Sequence, residues 1–190
     1  SGTIKALEEL KLLLALSKTP EYIESYDISH TGGEDNVAGM IVFKNGRPLK
    51  RAYRTFNIKS FTGQDDYGSM REVISRRFNE YLKCKDENTE EGFGKMPDLI
   101  LLDGGKGQLS QAENVISKIF TDPDIKKPLL LAVTKGEGRK EGLETFVVGY
   151  TRETINLSLD DPAMQIVLHI RDESHRFAIT GHRNRRSKAR

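Results

Sequence analysis

The chain has 190 residues, 36% of them hydrophobic and 31% charged, with a formal net charge of +2. That balance suits a single soluble globular domain with a real core, and no apolar run approaches membrane-spanning length. One cysteine, Cys84, excludes an internal disulfide and a cysteine-based zinc site, and fits a reducing cytoplasm.

The small net charge hides an asymmetry. The last nine residues, HRNRRSKAR, hold five of the 30 basic residues (Arg183, Arg185, Arg186, Lys188, Arg190) and no acid. The body before them is acidic, with 25 basic against 28 acidic residues. Such a tail suits either a polyanion partner or plain solvation. Ser1-Gly2 reads as a cloning remnant ahead of an excised fragment.

In chain order, Thr3 to Leu16 carries Leu7, Leu10, Leu13 and Leu14 on one stripe, an amphipathic helix without chemistry of its own. Tyr22 to Ser29 reads as a strand through Ile23, Tyr26 and Ile28, and contains Asp27, a residue type depleted in strands. A polar loop (His30 to Asn36) leads to Val37–Phe43. Asn45-Gly46 then predicts a hairpin into Leu49–Ile58, whose Lys50, Arg51 and Arg54 read as a solvated face. Three strands in succession make an antiparallel meander.

Asp65 and Asp66 offer a cap for a helix over Tyr67–Leu82, with Met70, Val73, Ile74, Phe78 and Tyr81 on its buried face. The acidic, glycine-containing stretch from Cys84 to Met96 reads as a flexible loop. Leu99 to Leu102 is an apolar run that predicts a strand buried on both faces. It ends on Asp103, breaks at Gly104-Gly105, and a helix starts near Gln108. Leu129–Val133 reads as a second buried strand. After the polar loop Thr134–Gly142, a hairpin is predicted from Thr145–Val148 and Thr154–Leu157. Asp160-Asp161-Pro162 opens a last helix expected to end near Ile179, at Thr180-Gly181. The order implies a mixed sheet, antiparallel at one side and parallel at the other.

Chemistry gathers at few places. Ligands are held at the carboxyl ends of strands in open α/β sheets, where Asp103 falls. If the Asp27 strand lies beside it, the two carboxylates must share a proton or hold a cation, and hard oxygen ligands favour Mg²⁺ or Mn²⁺. An Asp at a strand end also serves as a plain helix cap. His169, His175 and His182 sit in or near the last helix, with Arg171 and His175 at i, i+4; a helical His amid charges is also an ordinary surface residue. Gly104-Gly105-Lys106-Gly107 lacks the spacing of a nucleotide-binding P-loop, though its amides and Lys106 suit a phosphodiester. The loop with Lys135, Arg139 and Lys140 suits the same role or none.

Four stretches together resemble one family: Tyr26–Thr31 (YDISHT), Asp66 to Arg77, Leu101–Gln108 (LLDGGKGQ) and Arg171–Arg183 (RDESHRFAITGHR). They are similar, in order, to the C-terminal endonuclease domain of UvrC, the incision subunit of bacterial nucleotide excision repair. The resemblance implies an α/β, ribonuclease-H-like mixed sheet: a three-strand meander followed by parallel αβ units, flanked by helices. It implies a catalytic set on Asp27, Asp103 and His175, with Asp27 and Asp103 binding Mg²⁺ or Mn²⁺ and His175 as base or further ligand. It further implies a cytoplasmic enzyme making the 5′-side incision in damaged double-stranded DNA, within a complex built around UvrB. Lys106, Arg139, Lys140, Arg176, Arg183, Arg185 and Arg186 are the cations expected to hold the DNA. The implied layout is a helix packed on the body (1–18), the nuclease domain (19–181) and a basic linker (182–190). The UvrB-binding segment and the tandem helix-hairpin-helix module would lie outside the chain. A non-catalytic nucleic-acid-binding domain of the same fold is the alternative.

Overall fold

A computed structural model describes residues 2–31, 35–59, 65–134 and 143–188. Among them one mixed sheet of eight strands is covered by two helices on each face. The strands are β1 (Tyr22–Thr31), β2 (Asp35–Lys44), β3 (Arg47–Pro48), β4 (Arg54–Ile58), β5 (Leu99–Asp103), β6 (Leu129–Thr134), β7 (Leu143–Val148) and β8 (Thr154–Ser158). The helices are α1 (Gly2–Leu13), α2 (Asp66–Cys84), α3 (Lys106–Ile119) and α4 (Pro162–Lys188). No helix among the described residues is long and apolar enough to cross a membrane.

The sheet order is β3-β2-β1-β5-β6-β7-β8, with β4 beside β3 on the outer edge of β2. β1, β5 and β6 are parallel, joined by crossovers through α2 and α3, and they form the buried centre. Leu99, Ile100, Leu101 and Leu102 are buried on both faces, as a central parallel strand requires. Both flanks are antiparallel, since the β7–β8 hairpin closes the far side. The expectation of a parallel edge there is corrected accordingly.

Alternation sorts β1 cleanly. Tyr22 and Tyr26 join the core under α2 and α3, while Ile23 joins the core under α1 and α4. Asp27 therefore falls on the α4 side. Asp65 caps α2 by accepting from the Gly68 amide at 2.8 Å, and Asp161 accepts from Ala163 at 2.9 Å at the start of α4.

Three stretches differ from the sequence expectation. The predicted strand Leu49–Ile58 is broken into β3, a 3₁₀ turn over Lys50–Ala52, and β4. Pro48 lacks the N–H a continuing ladder needs, and Leu49 and Ala52 turn inward and are buried. The stretch after Cys84 is held in place: a 3₁₀ turn, Gly92–Gly94, wraps the Arg77 guanidinium. And α4 runs on to Lys188 instead of stopping near Ile179. A glycine in a helix costs only about 1 kcal/mol, and Gly181 is followed by residues that tolerate helix. Thr180 stays in register, its hydroxyl donating to the Arg176 carbonyl at 2.9 Å.

Candidate active site

β1 and β5 pair in parallel through Tyr26 and Leu102, so Asp27 and Asp103 stand one step beyond, at the carboxyl ends of neighbouring strands. Strand spacing puts their backbones about 4.8 Å apart. Both side chains fall on the α4 face, because Ile23, Leu99 and Leu101 belong to that core. Asp27 is largely enclosed, with 13% of its side chain exposed, whereas Asp103 is open to solvent.

α4 climbs this face toward the carboxyl end. Low on it, the His169 ring meets Phe43 edge-on at 5.1 Å, away from the carboxylates. Higher up, His175 Nδ1 lies 3.2 Å from Asp27 Oδ2, with 67% of the imidazole in solvent. Burial, then the charge of Asp103, raises the Asp27 pKa above its ordinary 3.8, and the hydrogen bond to His175 opposes that rise. The site thus brings together two like charges and an imidazole that is largely exposed. Among the described residues no three His, Cys, Asp or Glu converge as a ready-made cation cage.

The helix reaches this close because of Gly39, which is paired with Asp27 across β1 and β2. A Cβ there would lie 3.1 Å from the Phe177 ring and 3.6 Å from the Ala178 Cα. Phe177 is wedged between Gly39 and Tyr53, its ring edge-on to the tyrosine at 5.0 Å. Sequence reasoning missed both residues, although a glycine inside an apolar strand is itself a sign of close backbone approach. Gly39→Val should therefore lower stability by about 1–3 kcal/mol through overpacking, and Phe177→Leu should restore part of that deficit. Urea denaturation of the two single variants and the double variant measures this. Strictly additive effects would mean that the glycine does not set the helix distance.

The predicted DNA-holding cations divide. Lys106 is exposed at the first turn of α3, close in sequence to Asp103. Arg176 is exposed and its guanidinium is paired with Glu173, its Nε donating at 2.6 Å, so it reaches a phosphate only by leaving that partner. Arg183, Arg185 and Arg186 lie on the helical extension of α4, and their side chains fall outside the described residues, as do Arg139 and Lys140 altogether.

A family model for the UvrC RNAse H endonuclease domain matches residues 11–179. UvrABC system protein C of Shewanella frigidimarina is 49% identical over 181 residues, 95% of this chain and 28% of that protein. Its counterpart from Shewanella denitrificans is 48% identical over the same shares. The chain thus spans a little over a quarter of the length of these relatives. Among solved structures, Ciona intestinalis Endonuclease V with an inosine-containing 24mer DNA aligns at a TM-score of 0.42 and 20% identity, over 72% of this chain and 60% of that one. The catalytic domain of human Endonuclease V aligns at 0.43 and 11%, over 90% and 84%.

Proposed function

Because the chain belongs to the family of UvrC RNase H endonuclease domains, we propose that it makes the 5′-side incision at damaged DNA in bacterial nucleotide excision repair. The observation that carries this reading is the pair of carboxylates on neighbouring parallel strands, with His175 against one of them. We place the contact with UvrB in other parts of the full-length protein.

The donor set fits Mg²⁺ or Mn²⁺. Two hard carboxylates whose charges repel at one strand edge suit an ion that keeps several waters and takes the rest of its shell from substrate phosphate. Asp27 and Asp103 would hold it, and when bound it supplies charge neutralisation at the phosphoryl oxygen and a water of lowered pKa. Asp27 also orients His175: with Nδ1–H donating to its carboxylate, Nε2 is left as the acceptor that takes a proton from the attacking water. Lys106 and the first amides of α3 hold the strand through its phosphates, so base sequence matters little.

Two measurements test this. Since the folded Asp27 pKa is raised, that group stabilises the fold below pH 3.8 and loses the contribution as pH rises through the raised value. At neutral pH in chelator, Asp103→Asn removes the repulsion and should melt at or above the wild-type Tm. Mn²⁺ should raise the wild-type Tm and leave the variant nearly unmoved. An equal metal shift in both would remove Asp103 from the ion. Separately, replacing Arg183, Arg185 and Arg186 by Gln should weaken DNA binding alike for all sequences. It should also reduce the salt slope by about 0.9 for each phosphate that is no longer neutralised, and an unchanged slope would leave these residues merely solvated.

A further inference from the structure

We propose that Tyr67, seated on Gly107 at the start of the helix that follows Asp103, is a stacking platform for an unpaired base next to the cleaved phosphodiester. This rests on the nuclease reading above and adds the part of the substrate that the rim of the site holds.

Tyr67 is in the first turn of α2, yet half of it (50%) faces solvent. Its hydroxyl end lies against the first turn of α3: a Cβ on Gly107 would stand 2.0 Å from Oη and 2.4 Å from Cζ. Any larger residue at 107 would therefore displace the ring. One turn further along both helices, Arg71 donates to the Gln111 side-chain oxygen at 2.6 Å and locks the pair together. On the other side, Asp66 meets His30 Nε2 at 2.7 Å, and His30 Nδ1 lies 2.6 Å from Asn36 Oδ1. His30 is three residues beyond Asp27 on β1, and Gly107 is four beyond Asp103. The ring is thus braced at the carboxyl end of the sheet, on its α2–α3 side, where β1 and β5 both end.

A second observation points to a ligand at the same rim. Gln108 is nine-tenths buried, and its Oε1 has no hydrogen-bond partner among the described residues. Its side chain folds back over Gly104, where a Cβ would meet its Cγ at 2.7 Å. Gly105, at the cap of α3, offers no side-chain acceptor to the opening amides of that helix. The rim therefore presents amide donors for a phosphate and a half-exposed aromatic ring, with the unpartnered Gln108 oxygen buried beneath them. That combination suits one nucleotide whose base has left the duplex stack. Stacking on an aromatic ring tolerates any base, so the rim selects distorted or locally unpaired strands rather than a sequence.

The test uses the full-length protein assembled with its repair partners on a lesion-bearing duplex. The duplex carries 2-aminopurine beside the 5′ incision position, and Asp103→Asn stops cleavage for the fluorescence readings. Tyr67 should quench the probe. Tyr67→Leu should abolish the quenching and raise KM about 10-fold, with kcat within about twofold of wild type. Tyr67→Phe should keep both properties, and Tyr67→His should fall between. Gly107→Ala should match Tyr67→Leu, with no further effect in the double variant. Wild-type quenching and KM in Tyr67→Leu would overturn the proposal while leaving the nuclease reading intact. Cleavage surviving in Asp27→Asn would instead break that reading and leave the quenching result to stand by itself.

Discussion

Arg77→Met will destabilise the domain by about 3–5 kcal/mol, because it strands a buried carboxylate. Arg77 and Glu24 are both fully buried in the core under α2, joined by an Nη2–Oε2 contact of 2.8 Å and by Nε donating to both carboxylate oxygens at 3.0 Å. Burial alone would lower the arginine pKa, but Glu24 more than offsets it and holds the guanidinium charged. The remaining donors go to backbone: Nη1 to the Phe93 carbonyl at 2.8 Å and Nη2 to that of Lys95 at 2.6 Å. Tyr26 donates to Glu24 at 2.6 Å, and the Tyr22 hydroxyl accepts from the Gly92 amide at 3.0 Å. Removing the guanidinium would leave a charge without a partner and two carbonyls without donors. The same network ties the 3₁₀ turn at Gly92–Gly94 to β1, so local order around that turn should fall with it. The pair Glu24→Leu, Arg77→Met leaves no buried charge and should cost less than Arg77→Met alone. Chemical denaturation of the single and double variants measures both, and a change under about 1 kcal/mol in the single variant would contradict the buried-charge account.

That buried pair also shows where the sequence stops being legible. Position 77 lies i+4 from Val73 and i+3 from Ile74, on the buried stripe of α2, yet an arginine is not among the residues expected there from the apolar spacing. Its partner, Glu24 in β1, is equally hidden, because no neighbour in the strand marks a glutamate as buried. The loop after Cys84 looked flexible because its order comes from a side chain of another element. Local signals served well elsewhere. The apolar run ending at Asp103, the Asn45-Gly46 turn, the Asp65 cap and the Asp161-Pro162 helix start are each decided by neighbours a few residues away, and the fold has each of them. The end of α4 differs from the expectation for the opposite reason: Thr180-Gly181 permits a stop without requiring one.

The site follows the same division. Asp27 drew notice as an acid inside an apolar strand and Asp103 as an acid ending one, and the parallel pairing of β1 with β5 puts them side by side. His175 is one of three histidines in or near the last helix, and only the structure gives its contact with Asp27. Gly39 and Tyr67 carry no charge, and although Tyr67 lies in the Asp66–Arg77 stretch, nothing local marks either as part of the site. Their importance lies in what sits on or beneath them, which no local pattern contains.

The central claim is that Asp27, Asp103 and His175 carry out one incision reaction. Asp27→Asn and Asp103→Asn keep shape and hydrogen bonding but remove the charge a hard cation requires, and His175→Ala removes the proton acceptor. DNA binding should persist in all three, since it depends on basic side chains and helix amides. The decisive measurement is strand-specific incision of a lesion-bearing duplex by each full-length variant with its repair partners, with the 3′ cut as internal control. We expect the 5′ cut to fall on the order of 10³-fold in each variant while the 3′ cut continues. A 5′ cut at near wild-type rate in all three would contradict the assignment and leave the domain as a nucleic-acid-binding module.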